Sequence, residues 1–570
     1  MESAVDNHPS TSKQTQIACQ ANAPIRITQT KVDSFSNILQ TKISARQKNK
    51  IDRKLLYLCV KDLQPFSIVA DTGFREFVAA LNPSYQLPER RIISKTLIPA
   101  LYEECLTNTK NLISTGKTFC VTTDGWTSTN NTNTSYVAVT AHFLNKEFNL
   151  ISVLLECSAF EKGHTAENLA AFLLKAATKW DIQDKIVFAV SDNAANIQKA
   201  LQLVKWKNMG CVAHTLNLIV KDGLKNERIT LILEKVREIV RYFKKSTISN
   251  NKLLRYQENT GIETPLKVIL DVATRWNSTY YMLERFIRLE EAIKSTVAII
   301  DKELPVINVE EWNIIKELCL VLKPFEDASR ALSGDTYCTT SLVIPICSGL
   351  QNVFVKLVNQ KRFTATVNNV VEVWYSGLQE RLGNIQRSGT LSNSTFLDPK
   401  FKDIAFFDKT AAENTKKRLI ELIARKIRED NSELGNHVTE SLVNESKSSL
   451  NQEEDGELSI WGNFDKIVAS AQPKGTFTSR AIIEMQRYLE EEIIPRTSNS
   501  FLWWREHRQM LPYLSKIAQE QLCNLATSVP CERLFSKAGQ VISDRRTRLS
   551  TKNVEMLLFL NSNMKYMADI

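Results

Sequence analysis

The chain has 570 residues, 43% hydrophobic and 24% charged, which is enough for more than one packed core. No uninterrupted apolar run reaches the roughly 18 residues of a membrane span, and the N-terminal segment lacks the apolar stretch of a secretory signal, so we expect an intracellular protein with no membrane partner. A net charge of +10 is compatible with a polyanionic partner but does not require one.

The cysteines indicate a reducing compartment. Eleven of them are scattered singly along the chain, an odd number with no Cys-x-x-Cys pair. This pattern is typical of free or buried thiols, so we do not expect a disulfide framework.

The N-terminal part combines a polar tail with a small helical module. Residues 1–45 are rich in Ser, Thr, Asn and Gln, which predicts a disordered tail. The basic run from Arg46 to Lys54 could act as a nuclear address or a DNA contact, although its spacing favours a solvated helix face. Apolar residues at helical spacing then predict an N-terminal helical module over residues 46–115.

From residue 116 the pattern changes, and residues 116–220 predict the first part of an α/β core. A helix that begins at Thr165 follows three strands, and the full order is βββαβαβα. This order predicts a mixed sheet with helices on its faces. The predicted strands are Phe119–Thr123, Tyr136–Phe143, Phe148–Cys157, Ile186–Val190 and a short one near Met209.

The second half of the chain has a helical character. Residues 221–515 show amphipathic stretches and almost no strand signal, which predicts a large all-α insertion. Within it, residues near 428–458 are rich in Ser, Asn and Glu and have little to bury, which predicts a flexible acidic loop. Residues 516–570 are predicted to form the C-terminal part of the core.

Two aspartates follow predicted strands. Asp124 lies in Thr-Thr-Asp-Gly-Trp-Thr-Ser at the end of the first strand, and Asp192 lies in Val-Ser-Asp-Asn-Ala-Ala-Asn after the strand 186–190. Both carboxylates would emerge at the same edge of the sheet, where two acids can share hard divalent cations. An aspartate at a strand end is also a common cap or turn former, so each residue alone has a structural interpretation.

A third segment, Ala-Thr-Ser-Val-Pro-Cys-Glu-Arg-Leu-Phe-Ser at 526–536, carries Glu532 in the first turn of a helix. By itself Glu532 is an acid favoured by the helix dipole. The three segments, in this order, resemble the hAT transposase family and its domesticated relatives, the zinc finger BED domain-containing proteins. Further blocks extend the resemblance over roughly residues 50–565: Asp-Leu-Gln-Pro-Phe-Ser-Ile-Val (62–69), Leu-Asn-Pro-Ser-Tyr-Gln-Leu-Pro (81–88), Cys-Val-Ala-His (211–214), Thr-Arg-Trp-Asn-Ser-Thr (274–279) and Leu-Asp-Pro-Lys-Phe (397–401).

The resemblance implies a fold and a site. The fold is an α/β RNase H-like core with a mixed sheet, interrupted by a large all-α insertion, with the chain returning at its C-terminus to deliver the glutamate. The implied triad is Asp124, Asp192 and Glu532, which would be both catalytic and metal-binding residues for Mg²⁺ or Mn²⁺. Two such ions can stabilise the attacking and leaving oxygens of a phosphodiester reaction.

His214 matches the histidine of the family's Cys/Asp-x-x-His motif, which implies a catalytic position beside the scissile phosphate. The alternative is half of a zinc site together with Cys211. Zinc needs two more ligands, and the sequence offers no second clustered pair, so no zinc is expected.

Trp276 matches the insertion-domain tryptophan that stacks on a flipped base in the family, and Arg275 beside it is expected to contact DNA phosphate. Without the resemblance, Trp276 would be interpreted as a core residue of a helix.

The C-terminal stretch resembles the family's dimerisation region, which implies a dimer or a higher oligomer. It contains Arg545 and Arg546, followed by Val554, Leu557 and nearby leucines at near-helical spacing. The two arginines are candidates for DNA binding, and capping of helix carbonyls or pairing with acids is an equally open interpretation.

One feature of the family is missing. Before residue 59 the sequence has only Cys19 and His8, so the N-terminal BED finger of many members is not found. Three hypotheses follow. The favoured one is a domesticated nuclear protein that dimerises and binds DNA; the others are an active DDE transposase that cleaves and joins DNA with a divalent metal, and a protein-interaction scaffold without DNA activity.

Overall fold

A computed structural model describes residues 43–128, 134–272, 275–445, 464, 467, 475–542 and 549–567, with the backbone alone for 432–445. The predicted tail, residues 1–45, lies almost entirely outside the described residues. Helices then fill the predicted N-terminal module. They are α1 (Ala45–Lys61), a 3₁₀ turn (Phe66–Ala70), α2 (Thr72–Leu81), and α3 (Arg90–Ile92), which passes through a π-helical turn (Ile93–Leu97) into α4 (Ile98–Ser114).

A five-stranded mixed sheet follows, as predicted, in the order β3-β2-β1-β4-β5. The strands β1, β2 and β3 are antiparallel neighbours, whereas β4 runs parallel to β1 and to β5. The strands are β1 (Phe119–Thr127), β2 (Ser135–Leu144), β3 (Leu150–Ala159), β4 (Ile186–Ser191) and β5 (Asn208–Gly210).

The first strand, β1, is longer than predicted. Asp124 was expected at the end of a strand that closes at Thr123, but β1 continues to Thr127 because it keeps its antiparallel partner, with Trp126 opposite Tyr136 and Thr127 opposite Ser135. The two rings lie 6.0 Å apart, a cross-strand aromatic contact that favours the longer pairing. Asp124 therefore lies within the strand.

Three helices alternate with or follow the last strands of the sheet. They are α5 (Ala166–Lys179), α6 (Ala195–Leu203) and α7 (Val212–Leu224), and they give the predicted order βββαβαβα. The helix α5 begins where predicted, because the Thr165 hydroxyl accepts the N–H of Asn168 and caps the first turn.

Helices dominate the region after α7. Among them, α13 is long and apolar enough to cross a membrane by length and composition, but it packs on α14 and α15 and buries Val343, Ile344 and Phe354. The helices are α8 (Glu227–Lys245), α9 (Thr247–Asn259), α10 (Trp276–Arg288), α11 (Glu290–Val297), α12 (Val309–Leu332), α13 (Thr340–Gln360), α14 (Ala365–Leu382), α15 (Gly389–Phe396), α16 (Lys409–Glu445), α17 (Phe477–Glu490), α18 (Ser500–His507) and α19 (Pro512–Gln521).

The helix α16 changes the interpretation of the acidic segment. A flexible loop was predicted near 428–458, but α16 continues to Glu445. Apolar residues such as Leu419, Ile423 and Ile427 bury one side of its first half, so the helix is already established where the polar composition begins. Residues 446–458 lie outside the described residues.

The last two helices, α20 (Val529–Val541) and α21 (Thr551–Asn563), return to the sheet. The side-chain amide of Asn563 donates to the carbonyl of Leu154 at 2.8 Å and accepts its N–H at 2.9 Å, and Glu555 accepts the N–H of Ala159. Because β3 is an edge strand, its outward backbone groups need partners, and α21 supplies them. The leucines of the near-helical pattern, Leu557, Leu558 and Leu560, are buried within the same chain.

The sheet separates two hydrophobic cores. Cys120, Phe188 and Val190 face the core of the helical region, whereas Phe119 and Ala189 face a core built with the N-terminal helices, α20 and α21. Adjacent strand residues point to opposite faces, which is the ordinary alternation of a sheet that is covered on both sides.

Candidate catalytic cleft

Asp124, on β1, and Asp192, just after β4, lie at corresponding positions of two neighbouring parallel strands. Thr122 of β1 is paired with Val190 of β4, and each aspartate comes two residues later. The backbone N–H of Gly125 donates to Asp124 at 2.8 Å, and that of Ala194 donates to Asp192 at 3.2 Å. Asp192 thus also stabilises the turn after β4, a structural role that the sequence left open, whereas the contact of Asp124 lies within β1.

Burial and two negative neighbours perturb the first aspartate. Desolvation, together with the negative charges of Asp192 and then Glu532, raises the pKa of Asp124 to about 7. The three acids of the predicted triad are therefore close enough to interact electrostatically, although Asp192 and Glu532 come from separate parts of the chain.

Glu532 is positioned by its buried neighbour Cys531. The Cys531 thiol lies 3.5 Å from the carbonyl oxygen of Thr122 and 3.3 Å from its hydroxyl. Just before the helix, the carbonyl of Ala526 accepts the N–H of Val212 at 3.0 Å. These contacts fix the start of α20 against β1 and α7. The sequence analysis did not identify Cys531 as a site residue. The feature that could have identified it is its place beside Glu532 in the segment 526–536, which resembles the family.

The start of α7 contributes to the same arrangement. Cys211 is fully buried, and its sulfur accepts the N–H of Ser528 at 3.4 Å. His214, in the first turn of α7, is half-buried and lines the same cleft as Asp124 and Glu532. Cys211 therefore packs the start of α7 against the segment that leads into α20.

The cleft has a volume of about 1070 Å³. It is lined by the C-terminal end of β1 and by α7, α10, α12 and α20. Four of the lining side chains are cations and three are acids, so neither sign dominates. The cations are Lys221, Arg275, Arg330 and Arg533, and the acids are Asp124, Glu326 and Glu532.

Two of these arginines have partners of their own. Arg330 binds Glu326, which is fully buried, and Arg533 binds Asp335 and donates to the carbonyl of Ser333 at 2.7 Å. Although burial opposes it, hydrogen bonds from Arg330, Tyr281 and Lys323 lower the pKa of Glu326 to about 2. Glu326 therefore holds Arg330 in place as a carboxylate.

Arg275 behaves differently, because its partner is the glutamate of the triad. One guanidinium nitrogen lies 3.4 Å from Glu532 Oε2, with 65% of the Arg275 side chain and 40% of the Glu532 side chain exposed. The Ser278 hydroxyl hydrogen-bonds the backbone of Val272 and of Arg275 and fixes the turn before α10. The structure thus brings Arg275 to the predicted site, facing an acid.

Trp276 lines the cleft but is buried in this structure. It was expected to stack on a flipped base, but only 3% of it is exposed, and its ring packs edge-on against Phe325 at 6.2 Å. Its backbone N–H donates to Asn217 on α7. Because α10 begins at this residue and turns it inward, Trp276 is a core residue that anchors the loop carrying Arg275. The other two DNA-binding candidates, Arg545 and Arg546, lie outside the described residues.

The segment just before Arg275 has a structural role. The buried carboxylate of Asp271 binds Arg237 at 2.7 Å and accepts the hydroxyl of Thr279 at 2.9 Å. Asp271 therefore ties the segment before Arg275 to α8 and to α10.

The three acids of the predicted triad are of the type that binds a divalent metal, but they are not arranged to hold one. Carboxylates are the ligands that Mg²⁺ and Mn²⁺ prefer. Within the described ranges, however, no group of three or more His, Cys, Asp or Glu side chains is placed to hold an ion, and Glu532 is bound to Arg275. As arranged, the triad does not form a metal site.

Three segments of the chain match family models. Residues 122–213 match the ZBED1 RNase-like domain, residues 209–321 the ZBED1 RNase-like helical domain, and residues 484–564 the hAT family C-terminal dimerisation region. Asp124 and Asp192 fall in the first, Arg275 in the second and Glu532 in the third. The resemblance to hAT-type transposases and BED-finger proteins is therefore confirmed.

Individual relatives agree. The chain is 26% identical to the human (Homo sapiens) zinc finger BED domain-containing protein 4, with 90% of this chain and 43% of that protein aligned. It is 25% identical to the "Putative AC transposase" of Zea mays over 89% of this chain and 64% of that protein. It is 24% identical to the human zinc finger BED domain-containing protein 6 over 90% of this chain and 55% of that protein. The chain thus spans about half of the length of these relatives.

Proposed function

We propose that this chain is a nuclear protein derived from an hAT transposase, which self-associates and binds DNA in the cleft described above. Its fold is an RNase H-like core interrupted by an all-α insertion. The return of α20 and α21 to β1, β2 and β3 after the long helical region supports this assignment. The nuclear role is supported by the names of the BED-finger relatives.

One observation carries the DNA-binding proposal. All three segments that match family models meet at one cleft, and four cationic side chains line it. Lysine and arginine bind nucleic acid chiefly through phosphate, and each contact releases counterions from the duplex. Lys221 and Arg533 are the candidates tested for such contacts, and Arg533 would exchange its partner Asp335 for a phosphate.

Salt-dependent binding tests this proposal. The affinity for a labelled duplex is measured by fluorescence anisotropy at several salt concentrations, for the wild type, Lys221→Gln and Arg533→Gln. Each substitution should weaken binding and reduce the slope of log K against log salt by about 1. Lys199→Gln serves as the matched control, since Lys199 is exposed on α6 and pairs with Glu167 away from the cleft. Equal slopes for all four proteins would refute the proposal.

A second function, DNA cleavage and strand transfer with Mg²⁺ or Mn²⁺, is favoured by the mutual electrostatic influence of Asp124, Asp192 and Glu532. A nicking assay with and without metal would compare the wild type with Glu532→Ala. Products from the wild type alone would support an active transposase. The absence of products from either folded protein would leave DNA binding as the retained activity.

Self-association is proposed from the match to the dimerisation region. Inside that region Ile493, Leu502 and Met510 are exposed apolar side chains, whereas the leucines of α21 are buried. Sedimentation velocity of the wild type should show a dimer or higher oligomer, and Leu502→Glu should shift it towards monomer. A wild-type monomer at micromolar concentration would refute self-association.

A further inference from the structure

We propose that a basic pocket at the C-terminal end of α8 is a second phosphate-binding site, which holds the flank of the duplex that the cleft binds. The pocket has a volume of about 360 Å³ and lies between the last turns of α8 and the loop 298–308, which joins α11 to α12. Its cations are Arg241, Lys245 and Lys302. The inference rests on the proposed binding of DNA, but it concerns residues outside the cleft.

The first argument is charge. Three cations and one acid, Glu238, line the pocket, whereas cations and acids are nearly balanced in the cleft. In the described part of the chain, neither Lys245 nor Lys302 forms an ion pair, and the contact of Arg241 with Glu234 is long, at 3.8 Å. The charge of the pocket is therefore not neutralised within the protein, which favours a polyanionic partner.

The second argument is that the loop carrying Lys302 is held in place on both sides of that residue. The ammonium group of Lys252 on α9 donates to the carbonyl of Ile299 at 3.1 Å. Lys235 on α8 donates to the carbonyl of Val306 at 3.2 Å. Because these contacts exist without a ligand, the pocket is formed in advance and little conformational freedom is lost when an anion enters.

The third argument is the chemistry of the walls. The Lys302 ammonium lies 5.3 Å from the centre of the Tyr242 ring, a cation–π contact that orients the lysine and leaves its charge available. Besides that ring, Leu304 is the apolar side chain of the lining, so the pocket offers little surface to an apolar peptide side chain or an acyl chain. Phosphate, which lysine and arginine bind through charge, is the ligand that fits.

The fourth argument is the position of the pocket relative to the cleft. Arg237 of α8 binds Asp271, four residues before Arg275 of the cleft. Arg241 and Lys245 follow Arg237 at intervals of four residues, so all three lie on one face of the helix. This row is roughly 12 Å long at 1.5 Å per residue, which matches about three to four nucleotides of one DNA strand. A duplex that leaves the cleft past the loop of Arg275 therefore meets the pocket.

The test measures the affinity for a labelled duplex that extends beyond the cleft, by fluorescence anisotropy at several salt concentrations. The proteins are the wild type, Arg241→Gln and the double variant Lys245→Gln/Lys302→Gln, with folding checked by circular dichroism. Arg241→Gln should reduce the slope of log K against log salt by about 1, and the double variant should reduce it by about 2, because each lost phosphate contact releases fewer counterions.

Arg228→Gln is the matched control. It removes the same charge from the same helix, at a side chain that is 47% exposed against 50% for Arg241. Arg228 lies at the other end of α8 and pairs with Glu310 at 2.6 Å, so this variant should keep the wild-type slope. An equal loss of slope in Arg228→Gln and Arg241→Gln would reveal a general effect of net charge and would overturn the inference.

A combined variant tests whether the two sites hold one duplex. Lys221→Gln in the cleft and Lys302→Gln in the pocket should together reduce the salt slope by about 2, the sum of the two single effects. A titration at high protein concentration should give no more than one duplex per chain. Two duplexes per wild-type chain would overturn the shared duplex.

The failure of this inference differs from the failure of the proposed function. If Lys221→Gln and Arg533→Gln reduce the slope while Arg241→Gln and the double variant do not, the pocket is not a DNA site and the cleft remains one. Lost binding of poly-glutamate with unchanged DNA binding in the double variant would assign the pocket to an acidic protein and would also overturn the inference. Failure of the wild type to bind any duplex would overturn both.

Discussion

The thiol of Cys531 lies 3.3 Å from the hydroxyl of Thr122, so residues that are 409 positions apart in the chain are in contact beneath the cleft. Thr122 precedes Asp124 by two residues, and Cys531 immediately precedes Glu532. This contact joins the strand that carries Asp124 to the helix that carries Glu532.

Enlarging Cys531 should disturb that junction. Cys531 is fully buried between β1, β2 and α20, so Cys531→Leu must displace its neighbours and should lower the free energy of unfolding by about 1–3 kcal/mol, measured by urea denaturation. Cys319→Leu, at a half-buried position of α12, is the control and should cost less than about 1 kcal/mol. Equal stability of Cys531→Leu and the wild type would contradict the packing described for this junction.

The raised pKa of Asp124 predicts a pH dependence of stability. The folded protein holds this proton up to about pH 7, whereas the unfolded chain releases it near 3.8, so the free energy of unfolding falls as pH rises between these values. Asp124→Asn removes this loss. Relative to the wild type, the variant should gain on the order of 1–3 kcal/mol between pH 5 and pH 8, after allowance for solvent screening.

Thermal unfolding of both proteins across that pH range measures the effect. A difference between them that stays constant with pH would show that the Asp124 carboxyl is not perturbed as described.

Trp276 is predicted to matter for stability and not for base stacking. Trp276→Ala should cost about 3–5 kcal/mol because it empties a core position. Trp276→Phe keeps part of the packing, so it should remain folded, and its DNA affinity should be within twofold of the wild type. A tenfold loss of DNA affinity in the folded Trp276→Phe protein would instead support a stacking role.

Asn563 is predicted to stabilise the edge strand. Asn563→Leu removes both hydrogen bonds to Leu154 and leaves a buried N–H and carbonyl without partners, which should cost about 1–3 kcal/mol for each group. Asn553→Ala, earlier on the same helix, is the control and should change stability by less than about 0.5 kcal/mol. The free energies come from urea denaturation, and similar losses for the two variants would contradict the role of Asn563.

Much of the architecture could be predicted because it depends on local patterns. Apolar segments separated by turn-rich connections located the strands, and the Thr165 cap located the start of α5, because both signals involve residues that are neighbours along the chain. The end of β1 was missed, since it depends on the pairing of Trp126 with Tyr136 across the hairpin.

The candidate site was less accessible to such reasoning. Residue spacing could suggest Asp124 and Asp192, but Glu532 was located only through the family resemblance, because its contact with the sheet spans most of the chain. Two features depend on how α10 packs against α7 and α12: the burial of Trp276 and the pairing of Arg275 with Glu532. Such packing cannot be predicted from residues that are neighbours in the sequence.

The most direct test of the central claim, that DNA lies in the cleft, is site-specific cross-linking. A photoreactive amino acid replaces His214 inside the cleft or, as the control, Lys199 on α6, and the protein is irradiated with a labelled duplex. We predict a covalent adduct from position 214 that excess unlabelled duplex abolishes, and none from position 199. Adducts from position 199 alone, or from neither position under conditions where the wild type binds the duplex, would contradict the account.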